Sequence, residues 1–244
     1  MNSDSDSCDR TPKHNATEAT RAIARDALLG DPRTVARDVL LGATLVRFVR
    51  GQELRVRLVE VEAYLGESDP GSHAFRGPTP RNRVMYDAPG YAYVYFSYGA
   101  HWMLNVVVRP QGTAGAVLLR GAEPLLGDAF MAAERASGRH ARAHPPAPGG
   151  HEFIRWLLGG PARLAQALAV DRSDYGADMI AAPDAGEEPD LSQTPGGQVR
   201  QFRLLEGVRV DPAQVVTTTR VGLSQGADLE YRYYLRGSPG VSRP

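Results

Sequence analysis

The stretch that decides the fold is residues 54–64, Leu-Arg-Val-Arg-Leu-Val-Glu-Val-Glu-Ala-Tyr. Its apolar residues recur at every second position, which is the period of a β-strand. On a strand, the even-numbered residues share one face, so an apolar face leads into Glu60, Glu62 and Tyr64. Carboxylates in such a position are costly unless they are paired or hydrogen-bonded. Two interpretations remain open: both acids pair with arginines at the sheet edge, or one of them is a general base beside an aromatic wall.

Strand patterns dominate the middle third of the chain and return near its end. They cover residues 44–49, 54–64, 91–97, 101–108, 116–119, 202–209, 215–219 and 229–235. Because these segments follow one another too closely for successive βαβ crossovers, we expect an α+β fold with a curved, mostly antiparallel sheet flanked by helices. The alternation changes across Gly99, which predicts a protruding β-hairpin with Tyr98 near its tip.

Helices are predicted on both sides of the strand-rich block. They cover residues 21–29, 31–42, 79–86, 125–137 and 160–168. Asp31 followed by Pro32 is a typical N-cap and first helical position, and Gly42 is the expected stop. We expect residues 1–18 to be a disordered tail, residues 19–244 to form a single compact domain, and residues 139–150 and 173–197 to be mobile loops.

Composition excludes several classes of protein. The 244-residue chain has no apolar stretch near the length of about 20 residues that spans a bilayer, and no membrane partner is expected. Cys8 is the only cysteine, so neither a disulfide within the chain nor a cysteine-rich metal site can form. His73 and His101 lack metal-binding partners at usual spacings, and no nucleotide-binding glycine motif occurs. We therefore expect no metal and no cofactor, and a cytoplasmic location.

Charge is unevenly distributed although the net charge is zero. Residues 71–120 contain five arginines and a single acid, Asp87, whereas residues 171–190 contain seven acids and a single base, Arg172. One face is therefore predicted to be basic, with compensating acids on a loop elsewhere, although an ordinary solvated surface fits the same pattern. Lys13 is the only lysine, which makes an amine nucleophile hard to supply.

Aromatic side chains cluster in residues 90–108. Four tyrosines, His101 and Trp102 fall within twelve residues beside the arginine-rich segment. Tyrosines in strands often serve packing alone. The same cluster is also suited to stacking on bases and wedging into a duplex.

With these residues in view, the chain resembles the alkyladenine (3-methyladenine) DNA glycosylases, the purine-specific group unrelated to the helix-hairpin-helix glycosylases. The resemblance covers about residues 21–242. Its motifs are Arg37-Asp-Val-Leu-Leu-Gly42, Val59-Glu-Val-Glu-Ala-Tyr-Leu-Gly66, Asp69-Pro-Gly-Ser-His73, Thr79-Pro-Arg-Asn82, Tyr93-Val-Tyr-Phe-Ser-Tyr-Gly99, Asn105, Val117-Leu-Leu-Arg120, Glu123-Pro124, Gly160-Pro161, Arg220-Val-Gly222 and Arg236-Gly-Ser-Pro239.

The resemblance implies a role for particular positions. Glu62 corresponds to the acid that activates water, Arg120 to the arginine that helps to hold that water, and the main chain at Val221 to the rest of its cradle. The walls around a flipped base correspond to Tyr64, His73 and Tyr95. Tyr98 corresponds to the side chain that fills the gap in the base stack, and Asn105 to the residue that disfavours the 2-amino group of guanine.

Three functions follow as hypotheses. The first is a monofunctional DNA glycosylase that flips alkylated or deaminated purines out of double-stranded DNA, hydrolyses the N-glycosidic bond with water and leaves an abasic site. The second is a noncatalytic DNA-lesion-binding protein that uses the same slot and hairpin. The third is an RNA-binding or RNA-modifying protein, which the clustering of aromatic residues and arginines alone supports. No obligate protein partner is inferred.

Overall fold

The sheet is built around one long central strand. The computed structural model describes residues 21–137, 145–180 and 201–244, so the predicted tail lies outside the described residues. The strands are β1 (Thr44–Val49), β2 (Gln52–Tyr64), β3 (Ala92–Ser97), β4 (His101–Val107), β5 (Ala116–Leu126), β6 (Gln201–Leu205), β7 (Val215–Thr218) and β8 (Arg232–Leu235). Every pairing between these strands is antiparallel, as the sequence predicted.

The sheet branches along β2. Its main order is β3-β4-β5-β2-β1-β6. On one side β2 pairs with β5 along most of its length, whereas on the other side β1 covers residues 52–57 and β8 covers Glu60–Glu62. Glu60 and Glu62 are therefore in the interior of the sheet. Of the two interpretations left open, the one that pairs both acids with arginines was right about the arginines and wrong about the sheet edge.

A bulge in β2 turns the two glutamates away from the core. The pairing with β5 shifts register between Leu58 and Glu60 and again between Glu60 and Val61. As a result the consecutive residues Leu58 and Val59 both belong to the main core, which continues through Val61. The even-numbered residues after the bulge consequently face the opposite surface of the sheet, so the single unbroken face predicted from residue 54 to residue 64 was wrong.

Helices pack on the apolar side of the sheet. They are α1 (Pro32–Thr34, continued by a π-helical turn over Val35–Leu40), α2 (Asp128–Ser137), α3 (His151–Leu158) and α4 (Pro161–Ala167). α4 packs against β4 and β5, and α2 and α3 pack against α4. The fold is thus α+β, with a curved antiparallel sheet flanked by helices. None of the helices in these described ranges is long and apolar enough to cross a membrane.

Some predicted boundaries differ from the structure. Residues 21–29 contain only a 3-10 turn over Arg25–Leu28, and the predicted helix at 79–86 is reduced to a 3-10 turn over Arg83–Tyr86. The helix predicted from residue 125 begins at Asp128, because β5 continues to Leu126. α3 was not predicted at all, although its apolar residues follow helical spacing.

The predicted mobile loop at 173–197 is wrong for its first residues. Asp174 is buried and forms an ion pair with Arg47, with 2.8 Å between Oδ1 and Nη2. Met179 is also fully buried. Residues 181–197, like residues 139–144 of the other predicted loop, lie outside the described residues.

The predicted hairpin is formed by β3 and β4. Its last cross-strand pair is Ser97 with His101, and the turn places Tyr98 and Gly99 at positive φ angles of 50° and 66°. The side chain of Tyr98 at this tip is almost completely in solvent, at 95% exposure. Since a tyrosine is normally at least partly covered, this one is free to contact another molecule.

Candidate active site

Glu62 lies at the branch of the sheet and is fully buried. Its Oε1 atom accepts a hydrogen bond of 2.7 Å from the backbone N–H of Val221 and lies 3.2 Å from Nη1 of Arg120. Its Oε2 atom accepts a hydrogen bond of 2.9 Å from the hydroxyl of Tyr64. The fixed cationic and backbone contacts therefore converge on one oxygen, and the other faces a phenol.

Glu60, two residues earlier on the same face, has a different environment. Its Oε1 atom accepts hydrogen bonds from Nε of Arg120, Nη1 of Arg232 and the hydroxyl of Ser242, and its Oε2 atom accepts one from the Ser242 N–H. Burial alone would raise the pKa of this carboxyl, but Arg120 and Ser242 outweigh it and hold the pKa below its ordinary value. Glu60 is thus an anion that accepts hydrogen bonds from four fixed donors, which gives it a structural role.

Arg120 joins the two glutamates. It comes from β5, directly across from this part of β2, and its side chain is buried. Its Nε atom donates to Glu60, while Nη1 faces Glu62 and Nη2 donates to the Ser242 hydroxyl. One guanidinium thereby fixes the relative position of both carboxylates, which is a geometry that the planar, multi-donor arginine side chain favours.

A second buried ion pair positions the backbone that contacts Glu62. Both Nη atoms of Arg220 donate to Asp69, at 2.5 and 2.7 Å, and Nη1 also donates to the carbonyl of Ala63 at 3.0 Å. Asp69 accepts two further hydrogen bonds from backbone N–H groups at Leu65 and Gly71. The pair therefore ties the loop after β2 to the turn that carries residue 221.

A pocket opens beside this carboxylate cluster. Its lining includes all four predicted base-contacting residues: Tyr64, His73, Tyr95 and Asn105. The imidazole of His73 contacts the ring of Tyr95, with 4.6 Å between ring centres and an angle of 77° between planes. The Nδ2 atom of Asn105 donates to a main-chain carbonyl of β3 at 2.9 Å, which fixes its amide against the pocket floor.

The rings of the pocket are uncharged at neutral pH. Burial raises the pKa of Tyr95 to about 12, with the nearby Glu62 carboxylate adding to the shift. Burial and Glu62 also raise the pKa of Tyr64 well above its ordinary value. Burial and the charge of Arg81 lower the pKa of His73 below its ordinary 6.5. The walls therefore present neutral aromatic faces and one nearby anion.

The loop that carries His73 is held by a buried amide. The Nδ2 atom of Asn82 donates to the carbonyls of His73 and Gly77, and its Oδ1 atom accepts from the N–H of Thr79. A single side chain thus closes the loop on itself, which orients the imidazole towards the pocket.

The charge pattern of the sequence is only partly a surface feature. Among the five arginines of residues 71–120, Arg109 and Arg120 bond to groups inside the protein, and the other three are exposed. The acids Asp174 and Asp178 form ion pairs with arginines of the same fold. The prediction of a compensating acidic surface loop was therefore wrong for these two residues.

The structure brings the predicted residues into two groups. Glu62, Arg120, Val221 and Tyr64 are in direct contact, and Tyr64 joins them to the pocket. Tyr98 stands apart at the hairpin tip. Within the described ranges, no three His, Cys, Asp or Glu side chains are grouped so that they would hold a metal ion.

Several residues of the site were missed by sequence reasoning. Asp69, Asn82 and Arg220 lie in motifs that the family resemblance contains, but the motifs did not reveal their hydrogen bonds. Arg232 and Ser242 had no recognisable pattern, because they reach Glu60 from 172 and 182 residues away.

The sequence is similar to a known protein family and to several individual proteins. A sequence profile of the methylpurine-DNA glycosylases matches residues 26–239. A protein of Chlorobium phaeovibrioides is 41% identical over 84% of this chain and 88% of its own length. One of Leifsonia xyli subsp. xyli is 42% identical over 89% and 90%, and one of Carboxydothermus hydrogenoformans is 39% identical over 90% and 95%. All three carry the name "Putative 3-methyladenine DNA glycosylase". The chain therefore belongs to the methylpurine-DNA glycosylase family.

Proposed function

We propose that this chain is a DNA glycosylase that releases alkylated or deaminated purines from double-stranded DNA by hydrolysing the N-glycosidic bond. The observation that carries the proposal is the buried carboxylate of Glu62, which hydrogen-bonds to the same tyrosine that lines the aromatic pocket. Family membership supports the class of reaction, and the pocket beside the carboxylate supports its site.

Base flipping explains why the pocket and the exposed tyrosine occur together. A base stacked within a duplex cannot reach a carboxylate that is fully buried, so the nucleotide has to rotate out of the helix. Rotation costs a few kcal/mol, which stacking on Tyr64 and Tyr95 offsets inside the pocket. Tyr98 projects from the hairpin tip and fills the space that the departed base leaves.

Glu62 acts as the general base in this proposal. Oε1 is held by Arg120 and by the Val221 N–H, whereas Oε2 accepts a hydrogen bond only from the Tyr64 hydroxyl among the described residues. Oε2 takes a proton from water, whose oxygen bonds to C1′ of the sugar. The C1′–N bond breaks and its electron pair leaves with the purine. The same anion stabilises the positive charge that develops on the sugar.

The pocket favours purines that carry a positive charge. Its rings are neutral, and the electron-rich faces of Tyr64 and Tyr95 attract a cation. An alkylated, cationic purine is also a good leaving group, so it needs little protonation. Asn105 at the pocket floor disfavours the 2-amino group of guanine. Because Lys13 is the only lysine in the sequence, an amine nucleophile that would open the sugar is hard to supply, and we expect the product to be an abasic site in an intact strand.

An end-labelled duplex with one hypoxanthine or ethenoadenine tests the proposal. We expect strand breaks that require hot alkali after incubation with the wild-type protein and that disappear with Glu62→Gln. Glu67→Gln is the matched control, because Glu67 is an exposed carboxylate that contacts only the phenol of Tyr86 among the described residues.

Each other outcome favours a different function. Tight lesion binding without breaks on these substrates or on methylated DNA would favour the noncatalytic lesion-binding protein. Breaks without alkali would contradict the monofunctional mechanism. A preference for single-stranded RNA over the damaged duplex would overturn the assignment to DNA.

A further inference from the structure

The hairpin has a second face, opposite the one that lines the pocket. Tyr93 and Tyr95 line the pocket, so Phe96, which alternates with them, faces the other way. Trp102 pairs with Phe96 across the hairpin, and their ring centres are 4.8 Å apart. Phe96 is 44% exposed, while Trp102 is half-buried against the main core. An aromatic pair is thus presented to solvent directly behind the pocket wall.

Cationic side chains flank this aromatic pair. One groove, which we name the back groove, is lined by Phe96, Trp102 and Arg172, and Arg81 and Tyr95 separate it from the pocket. The Nη2 atom of Arg81 donates to the carbonyl of Phe96 at 3.3 Å, so this guanidinium is fixed at the exposed edge of β3. Arg172 is exposed on the other side of the groove. Flat rings next to guanidinium groups suit a nucleotide, whose base or sugar packs on the ring while the phosphate pairs with arginine.

We propose that the back groove binds the undamaged strand of the duplex, an inference that rests on the proposed glycosylase function. Tyr98 lies at the tip of the hairpin, where the two faces meet, and its side chain is in solvent. A side chain that enters a base stack has one DNA strand on either side of it. The pocket face receives the flipped purine and its strand, so the partner strand passes over Phe96 and Trp102. The positive charges of Arg81 and Arg172 complement its phosphates.

Binding to two substrates tests the back groove. We compare Phe96→Ser and Arg172→Ala with Arg209→Ala, an exposed arginine elsewhere on the protein, and with Tyr98→Ala as a positive control. Fluorescence anisotropy gives Kd for a hypoxanthine duplex and for its damaged strand alone. We expect Phe96→Ser to weaken duplex binding by about five- to tenfold and single-strand binding by less than about twofold. For the duplex, Arg172→Ala reduces by about one the magnitude of the slope of the log binding constant against the log salt concentration. Arg209→Ala changes neither substrate.

A second measurement identifies the strand. We place a photoreactive thiothymidine opposite the lesion in the undamaged strand, or beside the lesion in the damaged strand, and map the cross-linked peptides. Cross-links from the undamaged strand to Phe96 or Trp102 are expected. Equal losses of affinity for both substrates, or cross-links to these two residues from the damaged strand alone, would overturn the proposal.

The outcomes also separate this proposal from the glycosylase function. If the wild type releases the base while Phe96→Ser binds the duplex normally, the back groove is excluded and the glycosylase function stands. If the wild type binds the lesion but releases no base, the glycosylase function fails whatever the back groove does.

Discussion

Glu60 and Glu62 lie two residues apart on the same face of β2, yet the number and kind of their hydrogen-bond partners differ. Glu60 accepts hydrogen bonds from two arginines and from both the N–H and the hydroxyl of Ser242. Glu62 has fewer partners and contacts a tyrosine that lines the pocket. The comparison teaches that burial alone does not identify a catalytic acid. The number of fixed donors and the neighbouring open space distinguish Glu60, which has a structural role, from Glu62, which we propose as the reactive carboxylate.

The largest expected effect is on catalysis at Glu62. Glu62→Gln keeps the shape of the side chain but removes the base, so we expect the single-turnover rate of base release to fall by about 10²- to 10⁴-fold. Lesion binding should persist, because the pocket walls remain. Rapid-quench measurement on a hypoxanthine duplex gives the rate, and a rate close to wild type would exclude Glu62 as the base.

The corresponding change at Glu60 should act on stability. Glu60→Gln leaves Arg120 and Arg232 as buried cations without their shared anion, and breaking such a cluster costs about 3–5 kcal/mol of unfolding free energy. Urea unfolding measures the loss, with Glu62→Gln as the paired variant. If Glu62→Gln destabilised the protein more than Glu60→Gln, the division of roles between the two acids would be reversed.

Arg220→Lys should weaken the geometry around Glu62 without removing charge. Lysine cannot reproduce the two-pronged contact with Asp69, so the turn that carries the Val221 N–H shifts. We expect a fall of about ten- to hundredfold in the rate of base release, with Kd for the lesion duplex nearly unchanged. Arg37→Lys is the control, because Arg37 pairs with Asp38 at the exposed surface. A change in Kd without a change in rate would contradict a positioning role.

The smallest expected effect is on the pH dependence of the free energy of unfolding in acid. The buried carboxyls of Glu60 and Asp69 have pKa values below their ordinary 4.5 and 3.8, because arginines and hydrogen-bond donors outweigh burial. The contribution of these two carboxylates to the free energy of unfolding is therefore complete at pH values above their ordinary pKa values. It is lost as the pH falls through the lower pKa values that they have in the folded protein. Each unit of depression corresponds to about 1.4 kcal/mol. Unfolding free energies between pH 5 and pH 2 should fall less steeply for Asp69→Asn than for the wild type, and an unchanged slope would contradict the assignment.

Sequence reasoning recovered the strand-rich α+β fold and the clustering of Glu62, Tyr64 and Tyr95, because alternation and family motifs are local patterns. It left open whether Glu60 and Glu62 lie at a sheet edge, since the bulge after Leu58 and the pairing with β8 depend on contacts distant in sequence. For the same reason it gave no role to Arg232. Local periodicity predicts which face a side chain shares, but it cannot predict which distant strand covers that face.

The branch of the sheet has a consequence for the order of folding. Apart from the neighbouring Tyr64, the groups around Glu60 and Glu62 come from positions 58 to 182 residues further along the chain. Contacts with such large sequence separation form late, because the intervening chain has to be closed into a loop first. During synthesis Glu60 and Glu62 therefore lack these partners until Val221, Arg232 and Ser242 have left the ribosome.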